Sequence, residues 1–158
     1  EMQRSLVGSE MCIRDRSISK SEWEIIRVIW TKDAATSGQI LDVLGEKNSW
    51  TASTVKTLLK RLVDKGYLTR KRSGKAFLYS SLLSEQEAMN QQADDLFDKF
   101  CQRKHKTILE HLLKETPMRL SDIADLQALL SSKEKEALDE VPCNCIPGQC
   151  RCKEHLGL

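Results

Sequence analysis

The chain has 158 residues, of which 40% are hydrophobic and 30% charged, enough for one ordinary core and a small appendage. Large multidomain proteins are therefore excluded. No apolar run reaches the roughly 20 residues of a membrane span, so we predict a cytoplasmic protein with no membrane partner. The net charge is only +2, but residues 51–80 carry eight Lys or Arg and one acid, so we expect a polyanion to bind there.

The first 16 residues differ from the rest of the chain. They show no sustained periodicity, and the stretch from Ser5 to Arg16 resembles translated sequencing-adapter sequence. We therefore predict that residues 1–16 are a non-native or disordered extension, and the fold is derived without them.

Two helices with capping-box patterns open the patterned part of the chain. Ser19 precedes Glu22 by three residues and Thr36 precedes Gln39 by three, so Ser19 and Thr36 are expected N-caps. A break at residues 31–35 separates the helices, and Gly45 is expected to end the second. Apolar residues follow each cap at helical spacing: Trp23, Ile26, Ile29 and Trp30 in the first helix, and Ile40, Leu41 and Leu44 in the second.

A third helix and a hairpin follow. Thr51 is the expected cap, the helix is expected to end at Gly66, and its apolar stripe is Val55, Leu58, Leu59 and Leu62. Residues 67–72 and 75–80 are strand-like runs joined by Ser73-Gly74, a hairpin signal. Three helices and a β-hairpin wing predict a winged helix-turn-helix domain over residues 17–82.

The face of the third helix opposite its stripe is polar and basic. In a helix-turn-helix the second helix enters the major groove, and neighbouring cations hold phosphates. The wing adds four cations, although a solvated basic loop is the usual role of such a run. Trp50 could pack as a hydrophobic staple or touch the DNA backbone. The predicted DNA-binding residues are Ser53, Thr54, Lys56, Thr57, Lys60 and Arg61 in the helix, and Arg70, Lys71, Arg72 and Lys75 in the wing.

Residues 83–140 return to a helical pattern that breaks at Pro117. Short amphipathic helices of this kind cannot bury their apolar stripes alone, so we predict a helical dimerisation region and a homodimer. The expected dimerisation residues are Leu96, Phe97, Phe100, Ile108, Leu112, Ile123, Leu126 and Leu130.

Residues 141–158 form a cysteine-rich tail. Such a cluster in a reducing cytosol is more often a metal site than a disulfide framework. Pro147-Gly148 supplies a turn that folds the two C-x-C pairs together, and four thiolates satisfy tetrahedral Zn(II). The tight C-x-C spacing also suits Cu(I). The predicted metal ligands are Cys143, Cys145, Cys150 and Cys152.

Other interpretations of this tail stay open. It could be a static zinc clip, or it could form a disulfide as a redox-active tail. A metal carrier or store would need the tail but not the basic helix, so residues 51–75 argue against that class. No phosphate loop, catalytic histidine pair or activated nucleophile is recognisable, so we predict no enzymatic activity. Cys12 and Cys101 are isolated in the sequence, and a solvated side chain is the simpler interpretation of His155.

Several motifs together resemble the CopY-type copper-responsive repressors within the BlaI/MecI family of winged-helix regulators. They are the stretch from Trp50 to Leu62, the segment from Lys65 to Leu68, the wing through Tyr79 and the C-x-C-x4-C-x-C tail. The resemblance covers Ile18 to Cys152, and the chain departs from it in its first residues and at small residues such as Ala52.

That resemblance implies a mainly α-helical repressor. It would bind a palindromic double-stranded operator as a homodimer in its Zn(II) form, and Cu(I) in place of zinc would release it from copper-export genes. BlaI/MecI relatives respond instead to β-lactam-linked proteolysis and lack the tail. The alternative is therefore a repressor of that family with a structural zinc or redox tail and no copper switch.

Overall fold

The computed structural model describes residues 17–156 apart from the side chain of Glu154, so the prediction for residues 1–16 lies outside the described residues. The chain divides into two compact units, with the boundary between Ala93 and Asp94. The sequence pattern places the boundary between the winged-helix domain and the helical region earlier, after residue 82. Within the described range, no helix combines the length and the apolar character that crossing a bilayer requires.

The first unit contains three complete helices, a small antiparallel sheet and most of a fourth helix, which continues into the second unit. Strands β2 and β3 form the wing, and β1 pairs with β3, giving the order β1-β3-β2. The predicted winged helix-turn-helix is confirmed. In chain order the elements are α1 (Lys20–Lys32), β1 (Ala34–Thr36), α2 (Ser37–Asn48), α3 (Ala52–Asp64), β2 (Leu68–Ser73), β3 (Ala76–Ser81) and α4 (Glu85–Phe97).

Side-chain caps start the helices where the sequence predicted them. The Glu22 backbone N–H donates to Ser19 Oγ at 3.2 Å, and the Ser19 N–H donates to Glu22 Oε2 at 3.3 Å, which completes a capping box. Thr36 and Gln39 form the same box at the start of α2. All three predicted caps are confirmed, since Thr51 Oγ1 accepts from the Thr54 N–H at 3.3 Å. These bonds satisfy backbone donors that the first helical turn leaves unpaired.

One apolar core holds this unit together. The whole predicted stripe of α3 is buried, and α1, α2 and the sheet pack around it. The Trp30 indole N–H donates to Ser81 Oγ at 3.1 Å and to the Leu83 carbonyl at 3.0 Å, joining α1 to the end of β3. Trp50 is half-buried against the core, which favours the packing interpretation of that residue.

Three local predictions are wrong. Gly45 does not end α2, because the helix continues to Asn48 and Ser49 forms its cap with a left-handed φ of 54°. The hairpin turn lies at Gly74-Lys75 rather than Ser73-Gly74, with Gly74 at a φ of 62°. The predicted break at residues 31–35 contains most of β1. A strand of three residues has no recognisable sequence pattern of its own, because it forms only by pairing with β3.

The second unit contains short helices with very little buried surface. α4 ends in it, and α5 (His105–Glu115), α6 (Leu120–Lys133) and the one-turn α7 (Lys153–Leu156) follow. The predicted break at Pro117 is confirmed, because it lies between α5 and α6. Among residues 94–156, Cys101 is the only apolar side chain that is buried.

Candidate metal centre and nucleic-acid interface

The polar face of α3 is open to solvent while its apolar stripe is in the core. A ligand could therefore contact this face without disturbing the packing of the unit. The exposed members of the predicted set on this helix are Ser53, Lys56, Thr57, Lys60 and Arg61.

The hydroxyl groups at the start of α3 differ in what they can do. Thr54 is half-buried, and its Oγ1 lies 3.1 Å from the cap oxygen of Thr51. Thr57 Oγ1 donates to the Ser53 carbonyl at 3.0 Å, but both side chains are exposed. Thr54 therefore helps to fix the start of the helix, whereas Ser53 and Thr57 can reach a ligand.

Phe77 organises the arginines of the wing. The Arg70 guanidinium lies 4.7 Å from the centre of the Phe77 ring, and that of Arg72 lies 6.0 Å from it. Stacking of this kind holds a guanidinium by its face and leaves its N–H edge available. Lys71 and Lys75 are exposed on the same hairpin.

A basic cleft lies between α3 and the wing. Its volume is about 500 Å³. Among the residues that the structure describes, four cations and no carboxylate line it, which suits a phosphate backbone. The lining residues are Ser37, Lys56, Lys60, Arg70, Lys75, Ala76, Phe77 and Tyr79.

The basic residues of this interface have no carboxylate partner within residues 17–156. Lys65 differs from them, because its ammonium lies 2.7 Å from Glu22 Oε2 and 3.0 Å from the Ser17 carbonyl. Glu22 is buried, so Lys65 neutralises a buried charge and is unavailable to a polyanion.

In the second unit, Cys101 lies in the turn between α4 and α5. The His105 ring nitrogen Nε2 bonds to the Phe97 carbonyl at 2.8 Å and to the Phe100 carbonyl at 3.1 Å. The His105 ring also packs edge-on against Phe97, with ring centres 4.7 Å apart. These contacts fix the backbone on both sides of Cys101.

The tail folds back on itself at the predicted Pro147-Gly148 turn. The Gln149 N–H donates to the Ile146 carbonyl at 3.1 Å, and the Ile146 N–H donates to Gln149 Oε1 at 3.1 Å. Gly148 has a φ of 93°, a conformation that favours glycine. The turn therefore lets the two C-x-C pairs approach each other.

The thiols converge on one small region. Cys143 Sγ lies 3.4 Å from Cys150 Sγ and 3.7 Å from Cys101 Sγ, and Cys101 Sγ lies 3.8 Å from Cys152 Sγ. The sulfur atoms of Cys101, Cys143, Cys145 and Cys150 all lie within 4.8 Å of one another. His155 Nε2 is 3.5 Å from Cys143 Sγ.

These distances fit a soft metal ion. Four thiolates at about 2.3 Å from one tetrahedral centre are separated by about 3.8 Å. A disulfide would need about 2.05 Å, and all five cysteines among the described residues are free thiols. The cluster could therefore hold a metal ion that prefers sulfur.

The thiols also alter one another's acidity. Loss of hydration raises the pKa of Cys145 to about 12, and hydrogen bonds with neighbouring thiols act in the same direction. A hydrogen bond with Cys150 is the main cause that raises the pKa of Cys152 to about 12. A hydrogen bond from the Cys152 backbone N–H lowers the pKa of Cys150. Metal binding at this cluster must therefore displace protons.

The sequence did not assign Cys101 to this cluster. Of the four predicted ligands, Cys143, Cys145 and Cys150 belong to the tight group, and Cys152 lies beside it, with its Sγ 3.8 Å from Cys101 Sγ. Cys101 and Cys143 are 42 positions apart, so no local spacing could have predicted their contact.

Most of the predicted dimerisation residues are left uncovered. Five of them are exposed, namely Leu96, Phe100, Leu112, Ile123 and Leu130, and three are half-buried, namely Phe97, Ile108 and Leu126. An apolar stripe of this size on short helices needs a covering surface.

Known proteins share this sequence pattern. The penicillinase repressor family matches residues 18–132. An uncharacterized 16.5 kDa protein of the ptsI 3' region of Latilactobacillus sakei is 36% identical over 91% of this chain and 99% of its own length. The methicillin resistance regulatory protein MecI of Mammaliicoccus sciuri is 27% identical over 73% of this chain and 94% of its own length.

A solved structure also matches, namely the solution structure of the DNA-binding domain of the repressor BlaI. It is 30% identical, with a TM-score of 0.42, over 45% of this chain and 87% of that domain. Since the family match covers most of the chain, and the relatives whose role is named are regulatory proteins or repressors rather than enzymes, the chain belongs to the penicillinase repressor (BlaI/MecI) family of winged-helix transcriptional repressors.

Proposed function

We propose that this chain is a metal-responsive repressor that binds a palindromic operator as a homodimer in its zinc form. Cu(I) in place of zinc releases the operator and allows expression of copper-export genes. One observation carries the metal part of this proposal: the cysteine thiols converge at Sγ separations of 3.4 to 3.8 Å. The matched repressors MecI and BlaI are not named as metal proteins, so this function rests on the chain's own residues.

The DNA part rests on the basic cleft. α3 presents Lys56 and Lys60, and the wing presents Arg70 and Lys75, all facing one space of about 500 Å³. We propose that α3 contacts base edges through Ser53 and Thr57 while these cations hold phosphates. A repressor of this family needs such a surface.

The dimer part rests on the uncovered apolar side chains of α4, α5 and α6. We propose that a second copy of the chain covers these side chains. A homodimer fits a palindromic site because protein and operator then share one two-fold axis. The two α3 helices would be about 34 Å apart, one turn of DNA.

The metal part follows from the donor set. Four thiolates close a tetrahedral site for Zn(II), and thiolates in C-x-C pairs also suit the low coordination numbers of Cu(I). When bound, the metal supplies crosslinks between thiolates rather than redox or acid-base chemistry. A difference of about 1 to 3 kcal/mol between the two metal forms would change operator affinity about 5- to 150-fold.

The second candidate function is a constitutive repressor with a structural zinc clip. The separation of 3.8 Å between Cys101 and Cys152 favours it as well, because it equals the edge of a zinc tetrahedron. In that case copper would leave DNA binding unchanged.

The experiment is fluorescence anisotropy of the zinc-loaded chain on an operator selected from random duplexes by repeated capture. We expect stoichiometric Cu(I), under strictly reducing conditions, to release the DNA. Cys143→Ser with Cys145→Ser should abolish this response, while Cys12→Ser should keep it. DNA binding that Cu(I) leaves unchanged in the unmodified chain would favour the zinc clip.

A further inference from the structure

We propose that Cys101 is a fifth thiolate ligand of the tail metal centre and ties that centre to the turn between α4 and α5. This inference deepens the proposed function and rests on its metal centre. The C-x-C-x4-C-x-C motif supplies only the other four thiols.

Cys101 links both halves of the tail. Its Sγ lies 3.7 Å from Cys143, in the first C-x-C pair, and 3.8 Å from Cys152, in the second. It also lies within 4.8 Å of the Cys145 and Cys150 sulfur atoms. Cys101 is thus placed to share a metal with thiols of either pair.

Polar contacts hold the tail against this turn independently of the thiols. The Gln102 backbone N–H donates to Asn144 Oδ1 at 2.8 Å. The Arg103 guanidinium donates to the Val141 carbonyl at 2.7 Å and pairs with Glu140 at 3.0 Å. The position of Cys101 beside the cluster therefore does not depend on attraction between sulfur atoms.

The burial of Cys101 also favours a ligand role. It is 8% exposed in a unit with no other buried apolar side chain among its described residues. A cleft of about 420 Å³ reaches it from outside, and Cys145 and Cys150 also line that cleft. A metal ion could therefore reach a thiol that is otherwise shielded from solvent.

Five thiols exceed the four that tetrahedral Zn(II) requires. Any single thiol can then be lost while four thiolates still close the site. Because Cys101 lies on the backbone between α4 and α5, a change of ligand set at the cluster would act directly on this turn. Each thiol that binds loses one proton to solvent.

A double-mutant cycle of Zn(II) affinity tests this inference. The variants are Cys101→Ser, Cys152→Ser and both together, measured by competition with a zinc chelator in the full chain. We expect each single change to be mild, because four thiolates remain. The double change should weaken binding by more than about 100-fold, beyond the loss expected when an outer partner of a ligand is removed. Cys12→Ser is the matched control and should leave affinity unchanged.

If Cys152→Ser weakens Zn(II) binding by the same factor in the unmodified chain and in the Cys101→Ser variant, the proposal is overturned. Circular dichroism checks that the variants fold.

A second measurement, the rate of thiol alkylation in the unmodified chain, needs no variant. Zn(II) should slow the alkylation of Cys101 by N-ethylmaleimide about fivefold, because a tetrahedral ion leaves only one of the five thiols unbound at a time, and an unchanged rate would also overturn the proposal. If the cycle is non-additive but Cu(I) does not release DNA, the copper switch fails and this inference stands. If Cu(I) releases the DNA but the cycle is additive, the copper switch stands and the ligand role of Cys101 fails.

Discussion

The two units of the chain bury their apolar side chains to very different extents. In the first unit Ile25, Ile26, Leu59 and Leu62 are fully buried, and caps fix the start of each helix. In the second unit Leu109, Leu112, Leu113, Leu129 and Leu130 remain exposed, and only Cys101 is buried among the described apolar residues. The first unit is therefore organised by its own core. We propose that the second depends on a partner copy and on a metal.

The largest expected effect is on the core of the first unit. Leu59→Ala removes a fully buried side chain and should lower the free energy of unfolding by about 2 to 5 kcal/mol. Tryptophan fluorescence during urea unfolding measures this selectively, because Trp23, Trp30 and Trp50 all lie in the first unit. Leu129→Ala, at a side chain that is 62% exposed, should change the same transition by less than about 0.5 kcal/mol. If both substitutions changed the free energy of unfolding equally, the contrast between the two units would be contradicted.

The second prediction concerns the partner copy. Leu112→Asp places a charge on the uncovered stripe of α5 and should raise the dimer dissociation constant about 100-fold, since burial of one leucine is worth about 1.5 to 3 kcal/mol. Sedimentation equilibrium measures the change. The control is Ser131→Asp, at an exposed polar position of α6, which should leave the constant near its original value. A dimer unaffected by Leu112→Asp would place the interface elsewhere.

The third prediction concerns the basic cleft of the first unit. Lys60→Ala should weaken DNA binding at all sequences and reduce the slope of log K against log salt by about 0.9, the value for one phosphate contact. Lys47→Ala is the matched control, because that lysine pairs with Glu24 at 2.6 Å and lies outside the cleft. A salt titration of anisotropy separates the two, and identical slopes would remove Lys60 from the interface.

The smallest effect tests the end of α2. Ser49 has a φ of 54°, so Ser49→Gly should relieve backbone strain and raise the free energy of unfolding by about 0.5 to 1 kcal/mol. Glu46→Gly, in the same helix, should lower it by about 1 kcal/mol. Both changes are measured by urea unfolding followed through tryptophan fluorescence. Destabilisation by Ser49→Gly would mean that the strain is not present in solution.

What the sequence could predict follows from the range of the forces involved. Caps at Ser19, Thr36 and Thr51 act over three residues, and the α3 stripe repeats within one helix, so both were predicted correctly. The strand β1 exists only through its pairing with β3, about 45 residues later, and was missed. The prediction that α2 ends at Gly45 was wrong because Ser49, four residues later, adopts the left-handed conformation that ends the helix.

The candidate site divides in the same way. The basic face of α3 and the four tail cysteines follow from local pattern, and the structure places them as an open cleft and a thiol cluster. Cys101 could not be predicted, because the contacts of Gln102 and Arg103 with the tail bring it there across about 40 residues.

The central claim is that metal at the cysteine cluster of the second unit controls DNA binding by the first. Linkage makes the claim testable from the metal side, because DNA must change metal affinity by the same factor that metal changes DNA affinity. The measurement is Cu(I) affinity by chelator competition, with and without saturating operator DNA. We predict that the operator lowers Cu(I) affinity about 5- to 150-fold relative to Zn(II). If operator DNA leaves the Cu(I) affinity and the Zn(II) affinity of the chain unchanged, the result contradicts the claim.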